Sequence, residues 1–238
     1  MSGALDGRTA LVSGASSGIG LAVAGALAAA GAHVALLARR ADRLTARAAE
    51  LGAGALAIPC DLTDAAAVTR AVALARDNFG DVPDILVNNA GIFAPAPLAE
   101  MTEIAFWDTV AVNLVGPFLL VRAVLPAMLA RGAGHIVTIG SAADRQPFAG
   151  SGAYGASKSG ARAMHEVLRV ETRGRGVRAT LVSPAAVSTP IWEPVDAAVV
   201  RTPPAAAMLD AEDVAQAVLY ALTQPPRVNV DELRLSRT

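Results

Sequence analysis

Cysteine is almost absent from this sequence: Cys60 is the only one in 238 residues. A single cysteine excludes a disulfide within the chain and is typical of proteins from a reducing compartment. Residues 1–6 lack the basic and apolar regions of a signal peptide. We therefore expect a cytoplasmic protein, in which Cys60 is a small buried side chain at the end of an apolar strand.

An excess of charge of one sign is also missing, and so are long apolar runs. The formal net charge is -1 and 17% of the residues are charged, which does not indicate a nucleic acid or an anionic membrane as a partner. No uninterrupted apolar run reaches the roughly 20 residues that span a bilayer. The three histidines, His33, His135 and His165, show no metal-ligand spacing, and we expect no metal.

Hydrophobic residues are abundant, at 53% of the chain, and they form strand-like runs that alternate with helix-like runs. The predicted strands are Thr9–Val12, His33–Leu37, Ala55–Ile58, Ile85–Val87, His135–Ile139, Val177–Val182 and a short one near Val228–Val230. The predicted helical regions are Leu21–Ala30, Asp42–Leu51, Asp64–Phe79, Met101–Arg131, Ser157–Thr172 and Ala211–Leu222. This alternation predicts one α/β domain over residues 1–238, a doubly wound, mostly parallel seven-stranded sheet with helices on both faces.

Individual residues predict where some of these helices begin or bend. Asp64, Thr102 and Asp210 stand where helix N-caps are expected. Pro126 is predicted to kink or split the region 101–131, because proline cannot donate a backbone hydrogen bond inside a helix.

A glycine-rich stretch, residues 13–20, follows the first strand and opens the first helix. Unpaired backbone N–H groups and the positive end of the helix dipole favour a phosphate at such a point. The spacing is G-x-x-x-G-x-G and not the G-x-G-x-x-G of the dinucleotide fingerprint. Taken alone, this stretch is equally consistent with an ordinary loop.

Tyr154 and Lys158 are four residues apart, so both project from one face if the segment is helical. A nearby ammonium group favours the phenolate and lowers the pKa of a tyrosine. We therefore expect a tyrosine that exchanges a proton near neutral pH. An isolated pair of this kind is also the ordinary beginning of an amphipathic helix.

Six motifs in the same order resemble those of the short-chain dehydrogenase/reductase family, from about Gly7 to the C-terminus. They are the turn Ser13–Gly20, Asn88-Asn89-Ala90-Gly91, Asn113, Ser141, the Tyr154–Lys158 pair, and Pro184 with Thr189. Two positions depart from the family pattern: Ser13 replaces a threonine, and Ala185 stands where glycine is usual. The hydroxyl of Ser13 should preserve the threonine's hydrogen bond, and alanine is harmless at 185 if the local φ is negative.

The resemblance implies a Rossmann-type oxidoreductase that moves a hydride between NADP(H) and a carbonyl or secondary alcohol substrate. Tyr154 would be the general acid in carbonyl reduction and the base in alcohol oxidation. Lys158 would lower its pKa and bind the nicotinamide ribose, and Ser141 would bind the substrate oxygen. Asn113 would hold a water that links Lys158 to solvent.

The same resemblance implies a set of cofactor contacts. These residues are Gly14, Ser16, Ser17, Gly18, Ile19, Gly20, Asp61, Leu62, Asn89, Ala90, Gly91, Tyr154, Lys158, Pro184, Val187 and Thr189. Relatives that prefer NAD carry an acidic residue at the end of the second strand, where this chain has Ala38. Arg39 can bind a 2′-phosphate instead, and Arg40 either assists it or begins the next helix, so NADP(H) is predicted.

The proline-rich segment 188–207 departs from the alternating pattern and is predicted to be a substrate lid or, alternatively, a surface connection. It contains Pro190, Pro194, Pro203 and Pro204. Phe93, Phe148 and Trp192 follow strand ends, where they either line the pocket or pack in the ordinary way.

Two alternative functions and the oligomeric state stay open at this point. An NADP-dependent hydroxy-acid or sugar dehydrogenase and a non-catalytic NADP(H)-binding regulator are the alternatives to a carbonyl reductase. The regions 101–131 and 157–172 resemble interface helices of the family and predict a homotetramer or homodimer.

Overall fold

Seven parallel strands form the centre of the protein in a computed structural model, which describes residues 3–193, 195–196 and 198–238. The strands are β1 Thr9–Ser13, β2 His33–Ala38, β3 Ala55–Pro59, β4 Ile85–Asn88, β5 Gly134–Ile139, β6 Val177–Pro184 and β7 Glu232–Leu235. Their order is β3-β2-β1-β4-β5-β6-β7, and every neighbouring pair is parallel. The predicted doubly wound α/β fold is confirmed.

Helices cover both faces of this sheet. They are α1 Gly18–Ala29, α2 Ala41–Leu51, α3 Ala65–Phe79, α4 Glu103–Val110, α5 Gly116–Arg131, α6 Gly152–Thr172 and α7 Ala211–Leu222. Alternate residues of β1 point to opposite faces, as strand geometry requires. Val12 belongs to the core shared with α1, α2 and α7, whereas Leu11 belongs to the core shared with α3, α5 and α6.

The three predicted N-caps are confirmed. The Asp64 carboxylate accepts hydrogen bonds from the backbone N–H groups of Ala66 and Ala67. The Thr102 hydroxyl accepts from Ala105 N–H. Asp210 forms a reciprocal capping box with Asp213 at the beginning of α7. Each cap satisfies backbone donors that the first helical turn leaves unpaired.

The prediction of a last strand near Val228–Val230 is wrong, since β7 begins at Glu232. The Asn229 side chain occupies the edge of β6 before β7 begins. Its amide oxygen accepts from Ala179 N–H and its amide nitrogen donates to the Ala179 carbonyl, both at 3.0 Å. A side chain therefore makes the hydrogen bonds that a strand backbone would have made here.

Pro126 does not split the helix as predicted, because α5 continues through this residue. The irregularity in the region 101–131 lies earlier, at a π-helical turn over Ala111–Val115 that contains Asn113. Such turns are rare in proteins, and those that occur are frequently found at functional sites.

The continuous helical segment Glu103–Arg131 is long and apolar enough, by length and composition alone, to cross a bilayer. Core helices of soluble proteins can also meet this criterion. Leu120, Val124 and Met128 of α5 are fully buried against the sheet. The segment is therefore a packing helix of this α/β fold.

Two buried histidines lie between β5, β6 and α6. His135 Nε2 lies 2.8 Å from Thr180 Oγ1, and His165 Nδ1 lies 2.9 Å from Thr138 Oγ1. Burial lowers the pKa of His135 to about 3 and that of His165 to about 4. Both rings are therefore neutral in the folded chain at neutral pH.

We expect the free energy of unfolding to decrease as the pH falls below about 6.5. The unfolded chain then binds protons that the buried rings do not, and each histidine costs about 2 kcal/mol between pH 7 and pH 5. Urea unfolding at the two pH values measures this loss. His165→Gln should reduce it by about half, whereas His33→Gln, at an exposed residue of β2, should not. An unchanged pH dependence in His165→Gln would contradict the assignment.

Candidate active site

One cavity of about 1400 Å³ opens at the carboxyl ends of the strands. β1 lies between β2 and β4, so the chain reverses its direction of winding at β1. Ligands of doubly wound folds bind at this reversal. Eighteen of the predicted residues line the cavity: Gly14, Ser16, Ser17, Gly18, Ile19, Arg39, Arg40, Asp61, Leu62, Asn89, Ala90, Gly91, Ser141, Tyr154, Lys158, Pro184, Val187 and Thr189.

Two of the predicted residues, Gly20 and Asn113, do not line it. Gly20 packs against Asn89 and the backbone of Gly14, and a Cβ there would collide with both. The role of Gly20 is therefore close packing of the turn against β4.

The turn between β1 and α1 depends on glycine at two positions. Gly14 and Gly18 have φ of 66° and 54°, in the left-handed region that favours glycine. A Cβ on Gly14 would also lie 2.8 Å from the Ala90 Cα. Ser17 precedes α1 without a side-chain capping bond, which leaves the N–H groups of the first helical turn directed at the cavity.

Ser13 joins this turn to the end of β4. Its hydroxyl donates to the Val87 carbonyl at 3.2 Å and accepts from Asn89 N–H at 3.0 Å and Ala90 N–H at 3.1 Å. The Asn89 side chain donates to the Ser13 carbonyl at 2.9 Å. The expectation that serine preserves this bridge is confirmed.

Ser141, Tyr154 and Lys158 meet at the centre of the cavity. α6 begins at Gly152, five residues before the predicted beginning, and this places Tyr154 in its first turn. Lys158 lies one turn later, with its Nζ 5.8 Å from the centre of the Tyr154 ring. Lys158 is the only lysine in the sequence and is buried, and its ammonium donates to the Ile139 carbonyl at 2.9 Å.

The expectation that Lys158 lowers the pKa of Tyr154 is wrong for the chain alone. Burial raises the pKa of Tyr154, and a hydrogen bond with Ser141 offsets only part of the rise. Burial also lowers the pKa of Lys158 to about 8. The ammonium is directed at a carbonyl and is itself shifted toward the neutral form. The phenol is therefore protonated at neutral pH.

Ser141 follows β5 by two residues and caps a short 3₁₀ helix, Ala142–Asp144. Its Oγ accepts from Ala143 N–H at 3.1 Å. Because this contact uses an oxygen lone pair, the hydroxyl proton remains able to donate toward the cavity.

Asn113 lies in the π-helical turn, where both of its amide N–H groups are used and its Oδ1 keeps one lone pair for a further donor. Its Oδ1 accepts from Ile92 N–H at 2.8 Å, and its Nδ2 donates to the Ile92 carbonyl and to Ser157 Oγ. Ser157 in turn donates to the Tyr154 carbonyl at 2.8 Å. Asn113 thus connects the strand-end segment after Gly91 with the helix that carries Tyr154.

Three arginines stand at the far end of the cavity, beside the end of β2. Arg39 and Arg40 are the predicted ones, and Arg43 on α2 is an addition that lines the same space. No hydrogen-bond or ion-pair partner of their guanidinium groups occurs among the residues that the structure describes. Arg39 and Arg40 precede α2 and Arg43 lies within it, so no local spacing in the sequence singles out Arg43.

Ala185 fits its position without strain. No residue other than glycine has a positive φ in the described part of the chain. The Ala185 N–H donates to the Leu235 carbonyl at 2.8 Å and extends the pairing of β6 with β7. The departure from glycine is therefore harmless to the backbone.

An aromatic wall, formed by Phe93, Phe148 and Trp192, stands next to Tyr154. The Phe93 ring lies edge to face with the other three, at 5.0 Å from Tyr154, 5.6 Å from Trp192 and 6.0 Å from Phe148. The Trp192 indole N–H donates to the Val187 carbonyl at 2.9 Å, which fixes the ring. These three residues line the pocket and are more than ordinary packing.

The predicted lid contributes residues to the same wall. Trp192 lies in a 3₁₀ turn, Pro190–Trp192, and Val199, Val200 and Pro203 also line the cavity. Pro194, which belongs to the predicted lid, lies outside the described residues.

Comparison with known proteins agrees with this geometry. The model of the short chain dehydrogenase family matches residues 8–199. The chain belongs to the short-chain dehydrogenase/reductase family. One relative is D-threitol dehydrogenase of Mycolicibacterium smegmatis, which is 44% identical over 189 residues that cover 78% of this chain and 72% of that protein.

Two further relatives match nearly the whole chain. Glycine betaine reductase ATRR of Emericella nidulans is 44% identical over 239 residues, 97% of this chain, but the chain spans only 19% of that protein. An alcohol dehydrogenase from the archaeon Thermococcus sibiricus, solved with 5-hydroxy-NADP, superposes with a TM-score of 0.86 at 32% identity and covers 96% of both chains. The family match thus covers nearly all of the residues that line the cavity.

Proposed function

We propose that this protein is an NADPH-dependent carbonyl reductase, reversible as an alcohol dehydrogenase. The observation that carries the proposal is the convergence of Ser141, Tyr154 and Lys158 in one cavity. That cavity ends at the glycine turn on one side and at the aromatic wall on the other.

The residues present fit an NADP molecule. At Gly14, a Cβ would fill the space where the turn passes Ala90, and the open first turn of α1 suits a pyrophosphate. Arg39, together with Arg43 in the lining of the same cavity, suits a 2′-phosphate because guanidinium groups bind phosphate oxygens in pairs. Asp61, whose carboxylate Thr63 orients through two hydrogen bonds, would contact the adenine amine.

When bound, NADPH supplies the hydride. The phenol of Tyr154 donates the proton to the substrate oxygen, because it is protonated at neutral pH and lies in the cavity. Ser141 donates a hydrogen bond to the same oxygen and stabilises the charge that develops on it. Lys158 binds the nicotinamide ribose with its ammonium, and Asn113 holds the water through which Tyr154 regains its proton.

The substrate side of the cavity favours a bulky apolar carbonyl compound. Phe93, Phe148 and Trp192 face this space together with aliphatic residues of the lid. Glu193 and Arg201 are the charged residues of the lid that line it, too few for a strongly charged or polyhydroxylated substrate. The names of the relatives point to different substrates and do not favour either alternative function.

We further propose that the chain forms a homotetramer or homodimer through α4, α5 and α6. Trp107 and Ile104 of α4, Phe118 of α5, and Val167 and Val170 of α6 are exposed, at 45% to 74% of their surface. α4 and α5 both contact α6, and large exposed apolar side chains on adjacent helices are typical of an interface.

Tyr154→Phe should lower kcat for carbonyl reduction about 10²- to 10⁴-fold, because the substrate oxygen loses its proton donor. NADPH binding should change little. The measurement is the loss of nicotinamide absorbance with a panel of aryl and alkyl ketones and aldehydes. Tyr220→Phe, at the exposed second tyrosine on α7, is the matched control. Full activity in Tyr154→Phe would overturn the proposal.

Arg39→Ala should weaken NADPH binding at least about tenfold and leave NADH binding unchanged, since only NADPH carries the 2′-phosphate. Fluorescence titration with each nucleotide measures the ratio of the two dissociation constants. Arg47→Ala is the control, because Arg47 on α2 pairs with Glu50 outside the cavity. An unchanged ratio in Arg39→Ala would contradict the proposed cofactor preference.

Trp107→Asp combined with Val170→Asp should give a smaller assembly than the native chain, because two carboxylates would be buried at the interface. Light scattering after size-exclusion chromatography gives the masses. Leu74→Asp, at a comparably exposed leucine on α3, should leave the mass unchanged. A monomeric native chain would refute the interface.

A further inference from the structure

We propose that Asp144 is a positioning residue: its backbone carbonyl ties the Ser141 turn to α6, and its buried carboxylate, directly behind that turn, sets the charge that surrounds Tyr154 and Lys158. The proposal goes beyond the residues that touch substrate or cofactor. It rests on the proton-transfer role proposed for Tyr154.

The carboxylate of Asp144 is enclosed directly behind the catalytic turn. Asp144 is the last residue of the 3₁₀ helix that Ser141 caps, and its side chain has no exposed surface. Its Oδ2 accepts from Ser183 Oγ at 3.4 Å. A Cβ added at Gly140 would lie 3.5 Å from the same oxygen. The carboxylate therefore lies beside the backbone that joins Ile139 to Ser141.

The backbone of Asp144 is tied to α6 as well. Its carbonyl accepts a hydrogen bond from Ser159 Oγ at 3.0 Å, and Ser159 follows Lys158 in the chain. Lys158 in turn donates to Ile139 on the other side of Gly140. The turn that carries Ser141 and the helix that carries Tyr154 are thus joined on both sides of Gly140.

Charged and titratable groups face Asp144 from each element packed against it. They are Arg145 beside it in the chain, Tyr154, Lys158, Arg162 and Glu166 on α6, and Glu232 on β7, with the Ser183 hydroxyl on β6.

Each of the two neighbouring guanidinium groups also contacts a second carboxylate. Arg145 Nη1 lies 3.1 Å from Asp144 Oδ1 and 2.9 Å from Glu232 Oε1. Arg162 Nε lies 4.0 Å from Asp144 Oδ2, while its Nη1 contacts Glu166 at 2.6 Å. Two cations are therefore shared among three carboxylates, and of these five groups only the Asp144 carboxylate is fully buried.

Buried negative charge increases the proton affinity of its neighbours. Asp144 raises the pKa of Tyr154 in addition to burial, and it raises the pKa of Lys158 against burial. The Lys158 ammonium and the Tyr154 phenol are the forms that the proposed reduction uses. The Asp144 carboxylate thus favours both protonated forms, the ammonium of Lys158 and the phenol of Tyr154.

Asp144→Asn keeps the shape of the side chain and removes the charge. We expect the ionisation constant of Tyr154 to increase three- to tenfold, which ring-carbon NMR of labelled tyrosine measures in the chain with and without NADP⁺. Tyr220→Phe removes the NMR signal of the second tyrosine, so the signal that remains belongs to Tyr154. The acidic limb of kcat/KM for alcohol oxidation should shift to lower pH by the same factor, because the phenolate forms more readily.

Asp84→Asn is the matched control. Asp84 is a partly buried carboxylate that pairs with Arg8 and Arg131 and accepts from Thr9 N–H before the start of β4. Loss of the Asp84 charge should reduce the stability of the fold. It should shift neither the NMR titration of Tyr154 nor the pH profile of kcat/KM. Glu232→Gln, which changes the same network one partner further away, should shift both by less than Asp144→Asn.

Equal titrations of Tyr154 in Asp144→Asn, Asp84→Asn and the native chain would overturn the proposal. Where Asp144→Asn gives no folded protein, Asp144→Ser, which is smaller and buries no amide, carries the same expectation. The NMR titration needs no turnover. A chain without oxidoreductase activity but with the expected shift would therefore refute the proposed function while supporting the role of Asp144.

Discussion

The hydroxyl of Ser13 makes the contact on which the geometry of the cavity depends. It joins the backbone at the end of β1 to the backbone at the end of β4 through three hydrogen bonds. These are the two strands between which the winding of the sheet reverses, and the parallel ladder alone leaves their ends free to separate. With this bridge in place, the glycine turn and the segment after Asn89 form one continuous wall.

Electrostatics at the centre of the cavity follows from burial more than from pairing. Tyr154 and Lys158 are close, yet each has its pKa shifted toward the neutral form. The Lys158 ammonium donates to the Ile139 carbonyl, and burial is the largest cause of the pKa shift at both residues. Burial therefore decides the direction of both shifts.

The sequence predicted the sheet and nearly all of the cavity because local signals agreed with one another. Apolar runs marked six of the seven strands, and Asp64 and Thr102 marked helix starts. The last strand was misplaced because Val228 and Val230 resemble a strand, whereas the Asn229 side chain takes the hydrogen bonds of β6. The π-helical turn at Asn113 has no local signal, since it depends on contacts with Ile92 and Ser157. Arg43 and Asp144 become visible only when helices and strand ends are brought together.

A chain with 19 arginines and one lysine concentrates its amine chemistry in one place. The only side-chain primary amine belongs to Lys158, which is buried and engaged by a carbonyl. Every cation on the outer surface is a guanidinium, which does not undergo acylation under the conditions that modify lysine. Apart from the chain's own amino terminus, amine-directed reagents can therefore reach this protein only through the mouth of its cavity, and their rate would report how often that mouth admits them.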